Sequence, residues 1–411
     1  MKKRILLITQ WFDPEPTFKG LLFAKELVSR GFDVEVITGF PNYPGGELYK
    51  GYRLKLVQKE TIDGVLLTRV PLFPSHNKSK LGRIINYISF AFSSLFYGLI
   101  FAMRPDVIYA YHPPLTVGIS ASIIKLFRRV PVILDIQDMW PDTLKASGMI
   151  KSLHVLGLVS KICNLIYSSV NKIVVLSPGF KKLLIDRGVP NSKIEIIYNW
   201  ADEKVLRNIN DQASEELASI DGFKIMFAGN IGKAQGLNVI LDAALLLKVE
   251  EPRAQFIILG RGLELNELKR SAAAMNLDNI HFLPQVGMEK VGYFLNSADA
   301  LLIHLNSNPL FEITIPSKTQ AYMAVGKPII MGVRGDAANL VSGADCGFCF
   351  EPENSAALVS AVKSLTFLAP AERETLGKNA ETFYNKNLSI KVGVNLWVKV
   401  FDEVIAIQKK N

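Results

Sequence analysis

Cysteine is scarce in this 411-residue chain, which has only Cys163, Cys346 and Cys349. Three residues cannot build a disulfide framework, so the stapled extracellular scaffolds are excluded and a reducing, cytosolic setting is expected. Met1-Lys-Lys-Arg4 runs straight into strand-like Ile5-Leu-Leu-Ile8, so no leader peptide is expected either. Cys346-Gly-Phe-Cys349 has the spacing of a metal site but lies in a short strand-like stretch, where positions i and i+3 point to opposite faces; ordinary packing is expected there. An Asp-x-Asp pair is absent, which argues against a divalent cation carrying a diphosphate, and no metal site is assigned. The loop after the first strand lacks a full Gly-x-Gly-x-x-Gly, so NAD binding is unsupported. Helix-turn-helix, RNP and zinc signatures are missing too, and a nucleic-acid partner is not expected.

Charge is sparse but unevenly placed. Apolar residues make up 49% of the chain and charged ones 21%, enough apolar material for two hydrophobic cores. The net charge is +9, and residues 1–200 carry 26 Lys and Arg against 14 Asp and Glu, leaving the remainder slightly acidic. A basic first half without nucleic-acid motifs suits an anionic membrane surface, where each well-placed cation contributes about 1 kcal/mol. A bland spread of solvated lysines is the competing explanation.

Apolar strand-like runs alternate with amphipathic helical stretches, the pattern of parallel sheets covered by helices. In the first half the strands are expected at 5–9, 34–38, 65–70, 107–111, 132–136, 173–176 and 194–198, with helices at 21–29, 81–103, 117–127, 153–170 and 180–187. A polar, acidic stretch at 201–221 precedes a second series of strands at 224–228, 256–259, 280–283, 300–304, 328–332 and 348–350. Two doubly wound α/β domains are therefore expected, 1–200 and 201–387, with a C-terminal helix within 388–411 returning to the first. Ligands of such sheets bind outside the carboxyl ends of the strands, which implies a cleft served by both domains.

Residues 84–103 contain no charge and are flanked by Arg83 and Arg104, long enough to span a bilayer. The segment joins two strands of one expected sheet, so a crossover helix is the better reading. Asn86, Ser89 and Ser93 fall at helical spacing as a narrow polar stripe. With Lys78, Lys80 and Arg83 at its start, its outer face is expected to dip into a headgroup region, the alternative being a fully buried helix.

Three loops suggest phosphate chemistry. Pro14-Glu-Pro-Thr-Phe-Lys19-Gly20 separates the first strand from the first helix, a weak signal by itself. Gly229-Asn-Ile-Gly232-Lys233-Ala-Gln-Gly236 runs from a strand into a helix, and Leu259-Gly-Arg261-Gly262 repeats glycine plus cation. Either is a bare turn on its own; both together favour a diphosphate. In Ile315-Pro-Ser317-Lys318-Thr319-Gln320, heading the helix that ends at Gly326-Lys-Pro328, a first-turn lysine opposes the helix dipole, a conflict that a bound anion resolves.

These loops, with Asn42-Tyr-Pro-Gly-Gly46, Tyr111-His112-Pro-Pro-Leu115, Asp135-Ile-Gln-Asp138-Met-Trp-Pro-Asp142, Ser177-Pro-Gly-Phe180 and Tyr198-Asn-Trp200, resemble the retaining glycosyltransferases of family 4. The resemblance covers nearly the whole chain and implies the GT-B fold, two Rossmann-like domains facing across a cleft. It is nearest the bacterial O-antigen and capsule subgroup, similar to N-acetyl-L-fucosamine transferases and colanic-acid fucosyltransferase-like proteins. It implies a nucleotide-sugar donor, UDP-linked, as substrate with no further cofactor. A lipid-linked acceptor, a sugar on undecaprenyl diphosphate, would explain both the basic first half and the apolar helix, and a place on the cytoplasmic face of the plasma membrane is expected.

Carried over by position, the resemblance puts His112 toward the donor sugar, Asp135 and Asp138 toward the acceptor hydroxyl or sugar with Tyr111 beside them, and Lys19 and Gly20 at the border of the donor diphosphate or the acceptor. Asp135 and Asp138 have a rival role, pinning the Trp140-Pro141 turn. His112, Lys318 and Asp138 form the catalytic set; Gly229, Asn230, Lys233, Gln235, Arg261, Gly262, Glu312, Ser317, Lys318, Thr319 and Gln320 form the donor set. Two departures from the family matter. Asn230 and Gln235 replace its diphosphate-loop arginine and lysine, leaving Lys233, Arg261 and Lys318 as the cations. Its paired glutamates, eight apart, are missing; Glu312 and Gln320 keep the spacing one residue early. The resemblance implies front-face displacement, with a nucleotide-sugar epimerase, a GDP-fucose-dependent fucosyltransferase and a non-catalytic sugar-binding scaffold as alternatives.

Overall fold

A computed structural model describes residues 2–75, 79–207 and 215–410. Lys78 and part of the acidic stretch after Trp200 therefore lie outside the described residues. The chain divides into two units, Met1–Tyr198 with Val394–Asn411, and Asn199–Gly393.

The first unit is built on eight strands: β1 (Arg4–Thr9), β2 (Asp33–Gly39), β3 (Gln58–Ile62), β4 (Val65–Val70), β5 (Val107–His112), β6 (Val132–Ile136), β7 (Lys172–Val175) and β8 (Ile194–Ile196). They lie in the order β3-β4-β2-β1-β5-β6-β7-β8, and every described pairing is parallel except β3 with β4. The central strands are almost continuously buried and largely apolar because helices cover both faces. Helix Leu21–Ser29 leads from β1 back to β2, whereas Lys80–Ile100, Thr116–Arg128 and Leu153–Ser169 lead the opposite way along the sheet. Right-handed crossovers consequently set these three on the face opposite the first. Beside the first helix packs the last one, Ile390–Lys410: the Trp397 ring lies 6.0 Å from Phe23, and Phe401 lies 6.0 Å from Phe32.

Strand β3 is an addition to the sequence reading. Gln58-Lys-Glu-Thr-Ile62 is polar and half-exposed at the sheet edge, so no apolar run marks it. Its signal is Asp63-Gly64, both at positive φ (50° and 83°), a two-residue hairpin turn joining it to β4.

Helix Lys80–Ile100 is long and apolar enough to cross a membrane, yet it links β4 to β5 of one sheet. Asn86, Tyr87, Phe90, Ser94 and Tyr97 face inward. Leu81, Ile84, Ile85, Ile88, Phe92, Phe96 and Ile100 form an outward stripe, each 41–71% exposed. Asn86 thus belongs to the buried face, while Ser89 and Ser93 are half-buried.

The second unit carries β9 (Phe223–Asn230), β10 (Ala254–Arg261), β11 (Ile280–Leu283), β12 (Ala300–His304), β13 (Ile329–Gly332) and β14 (Gly347–Cys349) in a parallel sheet ordered β11-β10-β9-β12-β13-β14. Phe223, Ile225, Phe227, Phe256 and Ile258 of its middle strands pack with Ile240, Ala244 and Leu247 of helix Asn238–Glu250. Cys346 is buried and Cys349 exposed, both as free thiols, consistent with ordinary packing.

Candidate functional site

In the first unit, β1, β5 and β6 lie side by side and their carboxyl ends release the loops that carry the family motifs. Lys19 and Asp135 are each 1% exposed. Asp135 accepts hydrogen bonds from Tyr109 Oη and Gln137 Nε2, both at 2.6 Å. Burial pushes Lys19 down to about 8 and Asp135 upward, and each opposes the other's shift, so the two stabilise one another as a charged pair. Tyr111 is buried alongside. A side chain on Gly20 would meet Asp13 Oδ2 at 2.2 Å; that oxygen instead accepts the Leu21 N–H at 2.5 Å and starts the first helix. Lys19, Gly20, Tyr111 and Asp135 are therefore brought together, but beneath the surface.

Asp138 is different. It is half-buried, its carboxylate takes no hydrogen bond among the described residues, and burial pushes it up to about 6. The Trp140-Pro141 turn is held by Arg187, which donates to Trp140 O at 3.0 Å and pairs with Asp142, so the Asp138 side chain does not pin it. Trp140 N donates to the Asp138 main-chain oxygen, at 3.1 Å. His112 ends β5 with its ring 5.7 Å from Trp140, edge to face. Neither ring nitrogen has a partner in another described residue, and burial pushes it down to about 3, leaving a neutral imidazole.

In the second unit, the loops after β9 and β10 are zipped together by backbone. Ile231 N donates to Arg261 O at 2.8 Å and Glu264 N to Ile231 O at 3.1 Å. A Cβ on Gly260 would lie 2.0 Å from Gly229 O, and one on Gly262 would lie 2.0 Å from Ile231 O. The close approach that demands Gly260 and Gly262 is therefore one loop against the other. Gly260→Ala, at φ +149°, is expected to cost about 2–4 kcal/mol and lower the melting temperature by several degrees. Unchanged thermal unfolding would contradict this account of the loop.

Two residues that sequence reading passed over clamp the first loop from β12. His304 Nε2 accepts the Glu353 N–H at 2.9 Å, so Nδ1 carries the proton and donates to Gln235 O at 2.7 Å. Asn306 Nδ2 donates to Lys233 O at 2.7 Å. Their position at a strand's carboxyl end was the available signal. Asn230 and Gln235, standing where the family has cations, engage each other at 3.4 Å, and Gln235 also accepts the Gly232 N–H at 3.1 Å.

Lys318 sits in the first turn of helix Ser317–Val325, half-buried, with Nζ 3.3 Å from the centre of the Phe227 ring. Gly229 makes room for it, since a Cβ there would come 2.7 Å from Lys318 Cε. No carboxylate pairs with it among the described residues, and burial pushes it down to about 7. Arg261, next to Gly260 on β10, and Lys233 are both exposed. Around the same helix start, Ser317 is exposed, and Thr319 is buried with Oγ1 unpartnered among the described residues. The Gln320 amide turns back to donate to Pro316 O at 2.9 Å and Ser317 O at 3.2 Å. Glu312 lies 3.8 Å from Arg334, which also binds Glu351. Glu312 and Gln320 are thus occupied locally rather than converging.

A cavity of about 410 Å³ flanks the loop on the Asp242, Glu264, Glu267 and Glu353 carboxylates, with Lys233 at its wall. Four carboxylates repel a diphosphate. Lys318, Gly229 and Arg261 do not line it.

Comparison with known proteins agrees with this architecture. Residues 21–200 match the glycosyl transferase 4-like domain, and residues 209–383 match glycosyl transferases group 1. The chain is 26% identical over 387 residues to the putative colanic acid biosynthesis glycosyl transferase WcaI of Escherichia coli, covering 90% of this chain and 92% of that protein. It is 23% identical to the probable glycosyltransferase WbjE of Pseudomonas aeruginosa, covering 78% and 81%. Among solved structures, Anabaena HepE in complex with UDP and glucose superposes with a TM-score of 0.70 at 16% identity, covering 98% of this chain and 100% of that one. The chain has the GT-B fold, with a region matching the glycosyl transferase 4-like domain followed by one matching glycosyl transferases group 1.

Proposed function

We propose that this protein transfers a sugar, with retention and without a metal ion, from a UDP-linked donor to a sugar carried on a lipid diphosphate. The donor is an N-acetylamino sugar, N-acetyl-L-fucosamine fitting best, and the product is an intermediate of O-antigen or capsular polysaccharide. The observation that carries the reading is Lys318: a half-buried ammonium without a carboxylate partner among the described residues, beside a glycine at the carboxyl end of β9. Such a cation is stabilised when a diphosphate arrives, and more so as charge develops on the leaving nucleotide. The relative named for colanic acid biosynthesis supports the polysaccharide setting, and the HepE complex with UDP supports the nucleotide.

In this reading the second unit holds the donor through Lys318, Arg261, Lys233 and the exposed Ser317, while Thr319 Oγ1 awaits a partner. The first unit receives the acceptor and faces the inner leaflet of the plasma membrane. Neutral His112 serves the donor sugar and Asp138 orients the acceptor hydroxyl, whose proton passes to the departing phosphate oxygen as the new glycosidic bond forms on the face the nucleotide leaves. Radiolabelled UDP-N-acetylhexosamines incubated in EDTA with farnesyl-diphosphate-linked N-acetylglucosamine test the reading. Label in the organic phase, bound with the donor's anomeric configuration, is the expected result. Inversion would overturn the mechanism, and altered free nucleotide sugar would overturn transfer in favour of epimerisation.

A further inference from the structure

Several buried polar residues of the first unit have no part in the chemistry above, yet they converge. Glu15 is 3% exposed and accepts three main-chain N–H groups, from Phe12 at 3.2 Å and from Asn42 and Tyr43 at 2.7 Å each. Gln10 Nε2 donates to Asn86 Oδ1 at 2.5 Å, and Asn86 Nδ2 donates to Asn42 Oδ1 at 3.3 Å and to Phe73 O at 2.6 Å. Gln10 Oε1 has no partner among the described residues. Hydrogen-bonded groups withdrawn from water in this way fix one geometry rather than add much stability.

What they fix is aromatic. Tyr43, whose amide Glu15 grips, stacks on Trp11 with ring centres 4.3 Å apart and planes 24° from parallel. Tyr87, the neighbour of Asn86, lies 6.2 Å from Trp140. Trp11, Tyr43 and Trp140 all keep part of their surface exposed. Asp138, two residues before Trp140, is a half-buried carboxylate that takes no hydrogen bond among the described residues. Aromatic faces are electron-rich and apolar, so they accept the C–H face of a sugar ring, while a carboxylate takes the hydrogen of a hydroxyl on its rim.

We infer that Trp11, Tyr43 and Trp140 seat a pyranose ring of the acceptor by its C–H face, with buried Tyr87 backing Trp140, and that Asp138 accepts a hydrogen bond from one of that ring's hydroxyls. The inference rests on the reading of this protein as a transferase with a sugar-bearing acceptor. It adds a basis for specificity: a sugar whose axial hydroxyl interrupts the stacked face is refused.

Saturation-transfer NMR on the full chain, with the methyl glycosides of glucose, galactose, mannose, N-acetylglucosamine and N-acetylgalactosamine, tests it. Saturation should concentrate on the C–H protons of one ring face for at least one glycoside. It should fall at least fivefold in Trp11→Leu and Tyr43→Leu, yet persist in Tyr43→Phe, which keeps the ring. No signal from any glycoside, or an undiminished one in Trp11→Leu, overturns the seat. UDP binding measured in the same samples separates the two claims: UDP bound with no glycoside signal leaves the donor reading intact, whereas a glycoside signal without UDP binding leaves the seat intact. It also shows that the leucine variants are folded.

Discussion

Lys318→Ala is expected to lower kcat at least tenfold, because one preorganised donor to the leaving group contributes about 2.7–4 kcal/mol in comparable sites. The reason lies in the surroundings of the ammonium. It rests on the Phe227 ring, 3.3 Å from the ring centre, and its depression to about 7 comes from burial alone. A group so held is charged below pH 7 and increasingly neutral above it, while a diphosphate requires the charged form. Donor kcat/KM should therefore fall as pH rises through 7. The limb should vanish in Lys318→Ala and be displaced upward in Lys318→Arg, whose guanidinium stays protonated. Turnover unchanged in the alanine variant, or a pH limb that survives in it, would contradict the assignment.

Membrane association should be nearly abolished by replacing Ile88, Phe92 and Phe96 together with glutamate. These residues are 58%, 71% and 53% exposed along the outer stripe of helix Lys80–Ile100, so the substitution spares the buried face. Leu126 and Phe127 of the neighbouring helix Thr116–Arg128 add apolar surface, 74% and 71% exposed, and Lys80, Arg83 and Arg129 add positive charge. Inserting a large apolar side chain contributes up to about 1.5–3 kcal/mol, and each nearby cation about 1 kcal/mol on an anionic surface. Losing three anchors and gaining three negative charges should cut flotation with phosphatidylglycerol vesicles by at least tenfold. Salt should weaken the wild-type association without removing it, since the apolar part is not screened. Wild-type protein that stays behind at low salt, or a triple variant that floats equally well, would sink the proposal.

The parallel sheets were legible because their strands are buried on both faces and read as short apolar runs, Ile5 to Ile8 and Ile257 to Leu259 among them. Strand β3 escaped because a polar edge strand lacks that pattern, and only its Asp63-Gly64 turn announced it. The loops after β9 and β10 were visible as glycine-rich turns, but a glycine pattern does not say what approaches it. For Gly260 and Gly262 the approaching group is a neighbouring loop's carbonyl. The oddity of Lys318 could be read from its place after Pro316, whereas its lack of a carboxylate partner among the described residues depends on residues far apart in sequence. The same is true of the clamp from His304 and Asn306, and of the Trp11–Tyr43 stack, whose members lie in different loops.

The most direct test of the central claim is the release of UDP from labelled UDP-sugar, followed with and without a lipid-diphosphate-linked sugar acceptor, alongside the label recovered in the lipid. Transfer predicts UDP release that requires the acceptor and matches lipid-bound sugar one for one. Release that ignores the acceptor, or none with any UDP-sugar, would contradict it.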